Sequence, residues 1–280
     1  MRKIHATTIR NAVRELCIRA NAELPRATTA ALREAFSKER SRLGKETLSL
    51  LLENAREGAH ERVPLCQDTG YAVFFVELGQ EVRITGGSLK AALTSGVRQG
   101  YRQGFLRASI VGDPLLRKNT RTNTPCMIHY DIVRGDKLKI LFLPKGGGGE
   151  NASALKMLRP ADGIAGAKQF VIETVRRAAA GACPPIVVGV GIGGTFDSCP
   201  LIAKKALLRP LGRRSKHALY ARLERELLKE INNTGIGPSG FGGSVTALAV
   251  HVEYQACHIA SLPVAVNIQC NAHRFRSITL

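Results

Sequence analysis

The feature that most constrains the fold is a short, wholly apolar segment in the second half of the chain. Ile186-Val187-Val188-Gly189-Val190 is β-branched apart from one glycine, and it runs directly into a glycine-rich stretch at residues 191–195. Such a run predicts a fully apolar, buried strand. Apolar residues at helical spacing over residues 163–180, and again through Ala203 and Leu207, predict helices before and after it. This part of the chain is therefore expected to combine a buried strand with packed helices.

The N-terminal part is predicted to be helical. Apolar residues recur at helical spacing in three stretches over residues 7–58, with an interruption at Pro25 and an end at Gly58, which suits a helix C-cap. Further along the chain, Ser88 is expected to cap a helix that carries Leu89, Leu93 and Val97. A helical N-terminal layer is therefore expected to precede the strands.

Strand signals follow this layer. Residues 71–76 are β-branched and aromatic, while 127–133 and 137–143 flank Arg134-Gly135-Asp136 and predict a hairpin. Late strands are expected at 245–252 and 263–269. We expect the fold class α+β, with a helical N-terminal layer followed by mixed β-sheets with packed helices. These form a single domain of residues 1–280, with a helical part at about 1–60 and an α/β part at about 61–280.

Length and composition favour a soluble globular protein. The chain has 280 residues, of which 44% are hydrophobic, and this is enough to bury a sizeable core. No stretch approaches the eighteen or so uninterrupted apolar residues of a membrane span, and the first residues are polar and charged. We expect a cytoplasmic protein.

The chain is strongly basic. Forty-one Lys and Arg residues oppose twenty-two Asp and Glu residues, a formal net charge of +19, which attracts anions of any size. The densest basic run, residues 213–217, leads into Leu219, Leu223, Leu227 and Ile231 at helical spacing, so its cations are interpreted as the solvated face of a helix. Tryptophan is absent and aromatic residues make up 5%, which leaves little for base stacking. A basic nucleic-acid-binding protein is a distant alternative.

The seven cysteines form no Cys-x-x-Cys pair, and an odd number cannot all pair internally. Three have distinctive surroundings: Cys66 precedes Gln67-Asp68-Thr69-Gly70, Cys183 precedes two prolines, and Cys270 precedes Asn-Ala-His-Arg. Taken singly, each is more often a buried small hydrophobe than a metal ligand. Cys199, in Asp197-Ser198-Cys199-Pro200, is the rival to Cys183.

Four consecutive glycines, residues 146–149, lie between Lys145 and Glu150-Asn151. They follow a predicted strand, and their bare backbone N–H groups can converge on an anion. The Lys-Ser/Thr ending of a nucleotide P-loop is missing. On spacing alone, a carboxylate or phosphate site and a tight turn are equal interpretations, and the length of the glycine run favours a functional role.

Taken together, these motifs resemble the α subunit of the class I iron-sulfur hydro-lyases, the family of fumarate hydratase and L-tartrate dehydratase. Five segments occur in the family's order over nearly all of the chain: Cys66–Gly70, Lys145–Asn151, Ala182–Pro185, Val188–Thr195 and Gln269–Arg274. Glu150-Asn151 after the glycines is similar to the fumarase branch, because the tartrate branch typically has a cysteine there.

The resemblance implies a [4Fe-4S] cluster held by Cys66, Cys183 and Cys270, with one iron left open to act as a Lewis acid on the substrate hydroxyl. Cys17, Cys126, Cys199 and Cys257 match no ligand motif. Asp68 is the implied proton-transfer residue, and Arg107 the implied ligand of a substrate carboxylate. His258 lies twelve residues before Cys270, where the family has an active-site histidine, although Ile259 stands where proline is expected. The remaining implied substrate contacts are Gln67, Lys145, Gly147 and Gly148.

The resemblance also implies a partner. Single-chain fumarases of this class carry a further C-terminal domain with additional catalytic groups, and no such domain follows Cys270 here. We therefore expect a separate β subunit, in an assembly of two α and two β chains. The expected reaction is the reversible hydration of fumarate to L-malate. Dehydration of L-tartrate or another hydroxy-dicarboxylate is the alternative.

The charge pattern generates a first prediction. Arg107, Lys145 and Arg274 are expected to act at the site, whereas the basic run at 213–217 is not, because it lies on the solvated side of a helix. Neutralising Arg213, Arg214 and Lys216 together should leave the catalytic efficiency of the assembled enzyme, and its dependence on salt, close to the wild-type values. Initial rates at several ionic strengths measure this. A large loss of efficiency with the fold intact would place the functional charge on that helix.

Overall fold

The computed structural model describes all residues from 1 to 280. The helices are α1 (Ala6–Ala22), α2 (Arg26–Lys38), α3 (Arg42–Glu61), α4 (Leu89–Gln103), α5 (Gly147–Asn151), α6 (Gly163–Ala178), α7 (Ser198–Ala206) and α8 (Ala218–Asn232). The strands are β1 (Arg2–His5), β2 (Tyr71–Gly79), β3 (Val82–Thr85), β4 (Met127–Val133), β5 (Leu138–Lys145), β6 (Ala154–Leu158), β7 (Ile186–Gly193), β8 (Ala247–Gln255), β9 (Leu262–Gln269) and β10 (Arg276–Thr279). The expected α+β class is confirmed.

The chain divides into two compact units, each built from segments that are distant in sequence. Unit one comprises Met1–Pro25, Asn54–Gly147 and Arg274–Leu280. Unit two comprises Arg26–Glu53 and Gly148–His273. The predicted N-terminal helices are confirmed as α1, α2 and α3, and one of the four boundaries between the units along the chain falls within α3.

Unit one is built on a four-stranded sheet in the order β10-β5-β2-β4. One face of this sheet, with Phe74 on β2 and Phe142 on β5, packs against α1 and α4. The predicted cap of α4 is confirmed, since the Ser88 hydroxyl accepts a hydrogen bond from the Ala91 N–H. The loop from Cys66 to Gly70 therefore leads directly into a central, buried strand.

The predicted hairpin of β4 and β5 is wrong. Both strands exist at the expected places, but β2 lies between them, parallel to β4 and antiparallel to β5. The turn that joins them bonds to the end of β2 instead of closing a ladder: the Gly79 N–H donates to Lys137, and the Glu81 N–H donates to Gly135. Because β2 is the more apolar strand, the buried central position favours it over a direct pairing of its two neighbours.

Unit two is built on a sheet in the order β6-β9-β7-β8, with helices on both faces. The side chains of Ile186, Val188 and Val190 face α6 and α8. On the opposite face, Gly189 and Gly191 allow α7 to approach: a Cβ atom on either would lie within 2.4 Å of a carbonyl oxygen of that helix. The predicted fully apolar strand is thus confirmed as β7, buried between two helical layers.

The basic run precedes α8, whose buried face is formed by Leu223, Leu227 and Ile231. Arg213, Arg214 and Lys216 are exposed, as are the basic residues along the outer face of the helix. The predicted solvated helix face is confirmed for Arg222, Arg225 and Lys229, whereas the basic residues at 213–217 are exposed but lie in the segment before the helix. None of the helices is long and apolar enough to span a bilayer.

Glu39 is a buried carboxylate that joins two segments of unit two, and only 2% of its surface is exposed. It follows α2 and accepts hydrogen bonds from the backbone N–H groups of Arg40, Ser41, Ser244 and Val245, at distances of 2.8–3.0 Å. Burial acts to raise the pKa of the Glu39 carboxyl, but these N–H donors outweigh it and hold the pKa below its ordinary value.

Replacing Glu39 with alanine should lower the free energy of unfolding by about 2–4 kcal/mol, because buried N–H groups lose a charged acceptor. The pKa is lower in the folded than in the unfolded protein, so the stabilisation is complete above the unfolded value and is lost as pH falls through the folded one. Urea denaturation at neutral and acidic pH measures both effects. Glu34→Ala, at an exposed ion pair with Lys38, is the matched control and should cost under about 0.5 kcal/mol. Equal losses from the two variants would contradict the assignment.

Candidate functional site

The loop before β2 holds three of the predicted site residues of unit one: Cys66, Gln67 and Asp68. Gln67 is exposed, and the other two are partly buried. The Asp68 N–H donates a hydrogen bond to the Cys66 sulfur at 3.4 Å, which fixes the position of this sulfur within the loop. The loop therefore presents a thiol, an amide and a carboxylate in succession.

The Asp68 carboxylate is held from two sides. Its Oδ1 accepts the Gly70 N–H at 2.9 Å, and its Oδ2 accepts the Gly147 N–H at 2.8 Å. The Asp68 carbonyl oxygen accepts a hydrogen bond from the Arg274 guanidinium at 2.7 Å. Three of the five sequence motifs, far apart in the chain, thus meet at one residue. The Gly147 N–H, proposed from sequence as part of an anion cradle, binds this carboxylate.

The backbone of the same loop is fixed by two buried side chains that the sequence did not single out. The Tyr101 hydroxyl donates to the carbonyl oxygen of Thr69 at 2.8 Å, and the Asn123 amide donates to that of Gly70 at 3.0 Å. Neither residue belongs to a motif, so only the fold could have revealed this role. Burial raises the pKa of the Tyr101 hydroxyl well above its ordinary range, which keeps it protonated as a donor.

Arg107 is placed next to this loop by a backbone contact. The Thr69 hydroxyl donates to the Arg107 carbonyl oxygen at 2.7 Å. The Arg107 side chain itself is exposed. A guanidinium in this position is available for a carboxylate, which it can bind through two parallel hydrogen bonds.

Lys145 and Arg274, which were expected to contribute positive charge near the site, are both buried. Lys145 ends β5 opposite Tyr71, and none of its surface is exposed. Gly70 adopts a positive φ of 71° and lies against the Lys145 backbone, where a Cβ atom would come within 2.6 Å. Gly148 is exposed and begins the portion of the chain that belongs to unit two.

In unit two, Cys183 and Cys270 lie at the same end of the two central strands, β7 and β9. Cys183 precedes β7, Cys270 follows β9, and the two strands are antiparallel with Val187 opposite Gln269. Asn271 fixes the pair, because its backbone N–H and its side-chain amide both donate to the Cys183 carbonyl oxygen, at 3.1 and 2.9 Å. Cys183 has a left-handed backbone conformation, with φ 53°, which is costly for a residue with a Cβ atom and is typical of functional sites.

His258 does not lie at this end of the strands. It lies in the loop between β8 and β9, and is exposed. The length of β9 separates it from Cys270, roughly 25 Å at about 3.3 Å per residue. His258 therefore lies at the opposite end of the unit-two sheet from the two cysteines.

The other cysteines differ in environment. Cys17, Cys126 and Cys199 are buried, and Cys257 is exposed in the His258 loop. Burial raises the pKa of the Cys17 thiol well above its ordinary range and that of Cys199 to about 11. Cys199 also donates to the Gly191 carbonyl oxygen at 3.4 Å, toward the far end of β7. This thiol has neither the exposure nor the thiolate character of a ligand.

The residues present fit an iron-sulfur cluster in their chemistry. Cys66, Cys183 and Cys270 are partly or fully exposed, and none of the seven cysteines forms a disulfide. Thiolates are the usual ligands of such clusters. No group of three or more His, Cys, Asp or Glu side chains is arranged as a site for a single metal ion. The three cysteines therefore have the side-chain chemistry that an iron-sulfur cluster takes.

Comparison with known proteins identifies the family. A match to the family described as fumarate hydratase (Fumerase) covers residues 10–279. A Methanocaldococcus jannaschii protein, provisionally named L(+)-tartrate dehydratase subunit alpha, is 44% identical over 272 residues, which are 95% of each chain. The L(+)-tartrate dehydratase subunit alpha of Escherichia coli is 33% identical over 255 residues, or 90% of this chain and 84% of the relative. That of Shigella sonnei is 32% identical over 254 residues, with the same coverage.

The cysteine environments predict a labelling pattern. In the iron-free native protein, iodoacetamide should modify Cys66, Cys183, Cys257 and Cys270 rapidly, because these residues are exposed or partly exposed. Cys17, Cys126 and Cys199 should be modified only after unfolding. Peptide mapping by mass spectrometry at successive times measures each rate. Modification of Cys199 as fast as Cys183 would restore it as a rival ligand.

Proposed function

Because this chain belongs to the fumarate hydratase (Fumerase) family of hydro-lyases, as an α subunit, we propose that it interconverts fumarate and L-malate by addition and loss of water. The observation that carries this proposal is the convergence on Asp68. The loop Cys66–Gly70, the glycine run and the Gln269–Arg274 segment meet at this one residue through hydrogen bonds of 2.7–2.9 Å. An acidic residue held so firmly beside an exposed amide and an arginine suits proton transfer on a small dicarboxylate.

Dehydration of L-tartrate is the second candidate function. The M. jannaschii, E. coli and S. sonnei relatives carry that activity in their names. Tartrate has a hydroxyl group on each central carbon, whereas malate has one. The two reactions share loss of water next to a carboxylate, so the same proton-transfer and carboxylate-binding groups serve either substrate.

We assign a [4Fe-4S] cluster to Cys66, Cys183 and Cys270. The supporting observations are the exposed or partly exposed positions of the three cysteines, the Asp68 N–H directed at Cys66, and the Cys183–Cys270 pair that Asn271 fixes. A bound cluster of this type supplies a Lewis-acidic iron that eases departure of a hydroxyl group without redox change.

Asp68 is the residue that takes or returns the proton on the carbon next to the hydroxyl. Each of its carboxylate oxygens accepts one backbone N–H, and a carboxylate has about four lone-pair positions, so both oxygens retain one for a proton. The two N–H groups fix the direction in which that lone pair points. Preorganisation of this kind lowers the cost of reaching the transition state.

The substrate-binding residues surround this carboxylate in the proposal. Arg107 grips one substrate carboxylate with its exposed guanidinium, and the Gln67 amide donates to a second polar group. Lys145 contributes positive charge from its buried position at the end of β5. Gly147 and Gly148, which have no side chains, leave room for a dicarboxylate. Lys145 and Gly147 also position Asp68, through the backbone contact with Gly70 and the N–H bond.

In this proposal, His258 has no role in the site of its own chain. Because β9 separates it from Cys270, the histidine is too far away to reach a substrate beside that cysteine in the same molecule. As a catalytic residue, it would act in the site of a neighbouring chain in the assembly.

The proposal includes a separate β subunit that completes the site, in an assembly of two α and two β chains. The relatives are named as α subunits, which supports a partner of this kind. The isolated α chain should therefore have little hydratase activity even with its cluster intact.

The test is anaerobic purification of the α chain with its β partner, reconstitution with iron and sulfide, and assays of fumarate hydration and L-tartrate dehydration. We expect higher kcat/KM for fumarate. Cys66→Ser, Cys183→Ser and Cys270→Ser should each lower cluster content and the visible absorbance, because each removes one thiolate ligand. Cys17→Ser and Cys126→Ser are the matched controls and should leave both unchanged.

Three outcomes would contradict parts of this proposal. A kcat/KM at least about tenfold higher for L-tartrate would replace fumarate as the substrate. Unchanged iron content in any of the three cysteine variants would remove that residue from the ligand set. Full turnover by the α chain alone would remove the β subunit from the catalytic site.

A further inference from the structure

The outer edge of β4 is the most exposed apolar strand edge in unit one. β4 pairs only with β2, and it ends the sheet. Four of its seven residues are exposed apolar or aromatic side chains: Met127, Tyr130, Ile132 and Val133. Ile132 is 71% exposed. A long apolar edge is a template for pairing with another strand, so proteins usually protect it.

The edge strands β10 and β6 are protected in the ordinary ways, and β8, the remaining edge of the unit-two sheet, is mostly buried over residues 247–252. β10, the opposite edge in unit one, is only four residues long and carries Arg276. In unit two, the edge strand β6 has five residues with Lys156 at its centre. Short length and a central charge both discourage pairing. β4 has seven residues and no lysine or arginine, and Asp131 is its one acidic side chain, so its edge is longer and less densely charged than those of β6 and β10.

The backbone groups available at the β4 edge follow from its pairing with β2. The Gln80 N–H donates to the Val133 carbonyl oxygen, so Val133 directs its polar backbone groups toward β2. In a strand, successive residues direct these groups to opposite sides. The N–H and C=O groups of Ile128, Tyr130 and Ile132 therefore face outward, away from the sheet.

The β4 sequence is complementary to itself when it is read in the opposite direction. About Tyr130 as the centre, Met127 lies opposite Val133, Ile128 opposite Ile132, and His129 opposite Asp131. Apolar residues meet apolar residues, and the acidic side chain meets the imidazole. A two-fold axis requires this property, because it places the same surface of each chain on the other.

We propose that the β4 edge binds β4 of a second copy of this chain, antiparallel and two-fold symmetric about Tyr130, so that two unit-one sheets join into one. The outward-facing residues then form the hydrogen-bonded pairs: Tyr130 with its own copy, and Ile128 with Ile132 in both directions. His129 and Asp131 fall in the non-hydrogen-bonded pairs, where side chains approach most closely, so the imidazole of one chain faces the carboxylate of the other.

The pairing involves none of the residues proposed for the hydro-lyase site. Its failure would leave the proposed function standing, and loss of the proposed function would leave the pairing standing. Burial of an edge strand against a second copy is also distinct from its burial by a β subunit, because only the former depends on symmetry about Tyr130.

The first test is the oligomeric state of the full α chain by sedimentation velocity over a range of concentrations. We expect a dimer that Tyr130→Pro weakens by about tenfold or more, because proline removes the outward N–H at the axis from both strands. The β2–β4 ladder keeps its hydrogen bonds, since this N–H faces away from β2. Tyr130→Thr, which retains the N–H, is the matched control and should remain a dimer. A monomeric wild-type chain, or a dimer that Tyr130→Pro does not affect, would overturn the proposal.

The second test covers the case in which the proline variant fails to fold. Cα atoms of a hydrogen-bonded antiparallel pair lie about 5.5 Å apart, a distance that a disulfide can span. Tyr130→Cys should therefore form a covalent dimer with oxidised glutathione, whereas His129→Cys, which faces Asp131 instead of itself, should cross-link much less. Equal cross-linking of the two variants in the α chain would overturn the symmetric register.

Exchange of the charged pair gives a third, independent test. His129→Asp alone places carboxylates opposite Asp131 of the copy and should weaken the dimer. The double variant His129→Asp with Asp131→His restores opposite groups in both pairs and should restore it. Failure of the double variant to associate more tightly than the single one would contradict the pairing. Restored association that requires the β subunit would assign the edge to that partner instead.

Discussion

The antiparallel pairing of β7 and β9 is the constraint on which the arrangement of unit two depends. Val187 lies opposite Gln269, so the start of β7 and the end of β9 lie at the same end of the sheet. Cys183 and Cys270 are therefore neighbours, although 86 residues lie between them in the chain. The same register places the β8–β9 loop, which contains His258, at the opposite end of these strands. A slip of one residue would reverse the faces of β9 and remove Val264, Val266 and Ile268 from the core. Core packing therefore fixes the position of the thiols.

In unit one the corresponding requirement is to fix the irregular loop that precedes β2. Asp68 fixes this loop through its own side chain and backbone. Its carboxylate accepts hydrogen bonds from the N–H groups of Gly70 and of Gly147, the first residue of α5, and its carbonyl oxygen accepts one from Arg274. The buried Tyr101 and Asn123 side chains satisfy the remaining carbonyl groups, which could not be left without partners in the interior. A residue proposed for proton transfer thus also organises the loop, so substitutions at Asp68 combine a chemical and a structural effect.

Local patterns in the sequence predicted most of the helices and strands, because helical periodicity and β-branched runs are properties of neighbouring residues. They predicted α4 and its Ser88 cap, the buried β7 and the solvated face of α8. They failed where the answer depended on distant residues. β4 and β5 have the composition of a hairpin, but β2 competes for the central position, and nothing between residues 127 and 145 records that competition. The roles of Tyr101 and Asn123 were missed for the same reason, and the motif resemblance could not show that His258 lies a full strand away from Cys270.

Glu150, which follows the glycine run, has a structural role that its place in the sequence motif does not reveal. Glu150, which made the sequence similar to the fumarase branch, forms an ion pair with Lys204 of α7 at 2.5 Å, and both side chains are largely buried. A cysteine at that position could not form this pair. Glu150 thus stabilises the beginning of the second segment of unit two, and this ion pair gives the residue a structural role that is independent of the substrate. Direct discrimination between malate and tartrate requires groups that contact the second hydroxyl, and in the proposed site the exposed Gln67 and Arg107 side chains are the candidates for that contact.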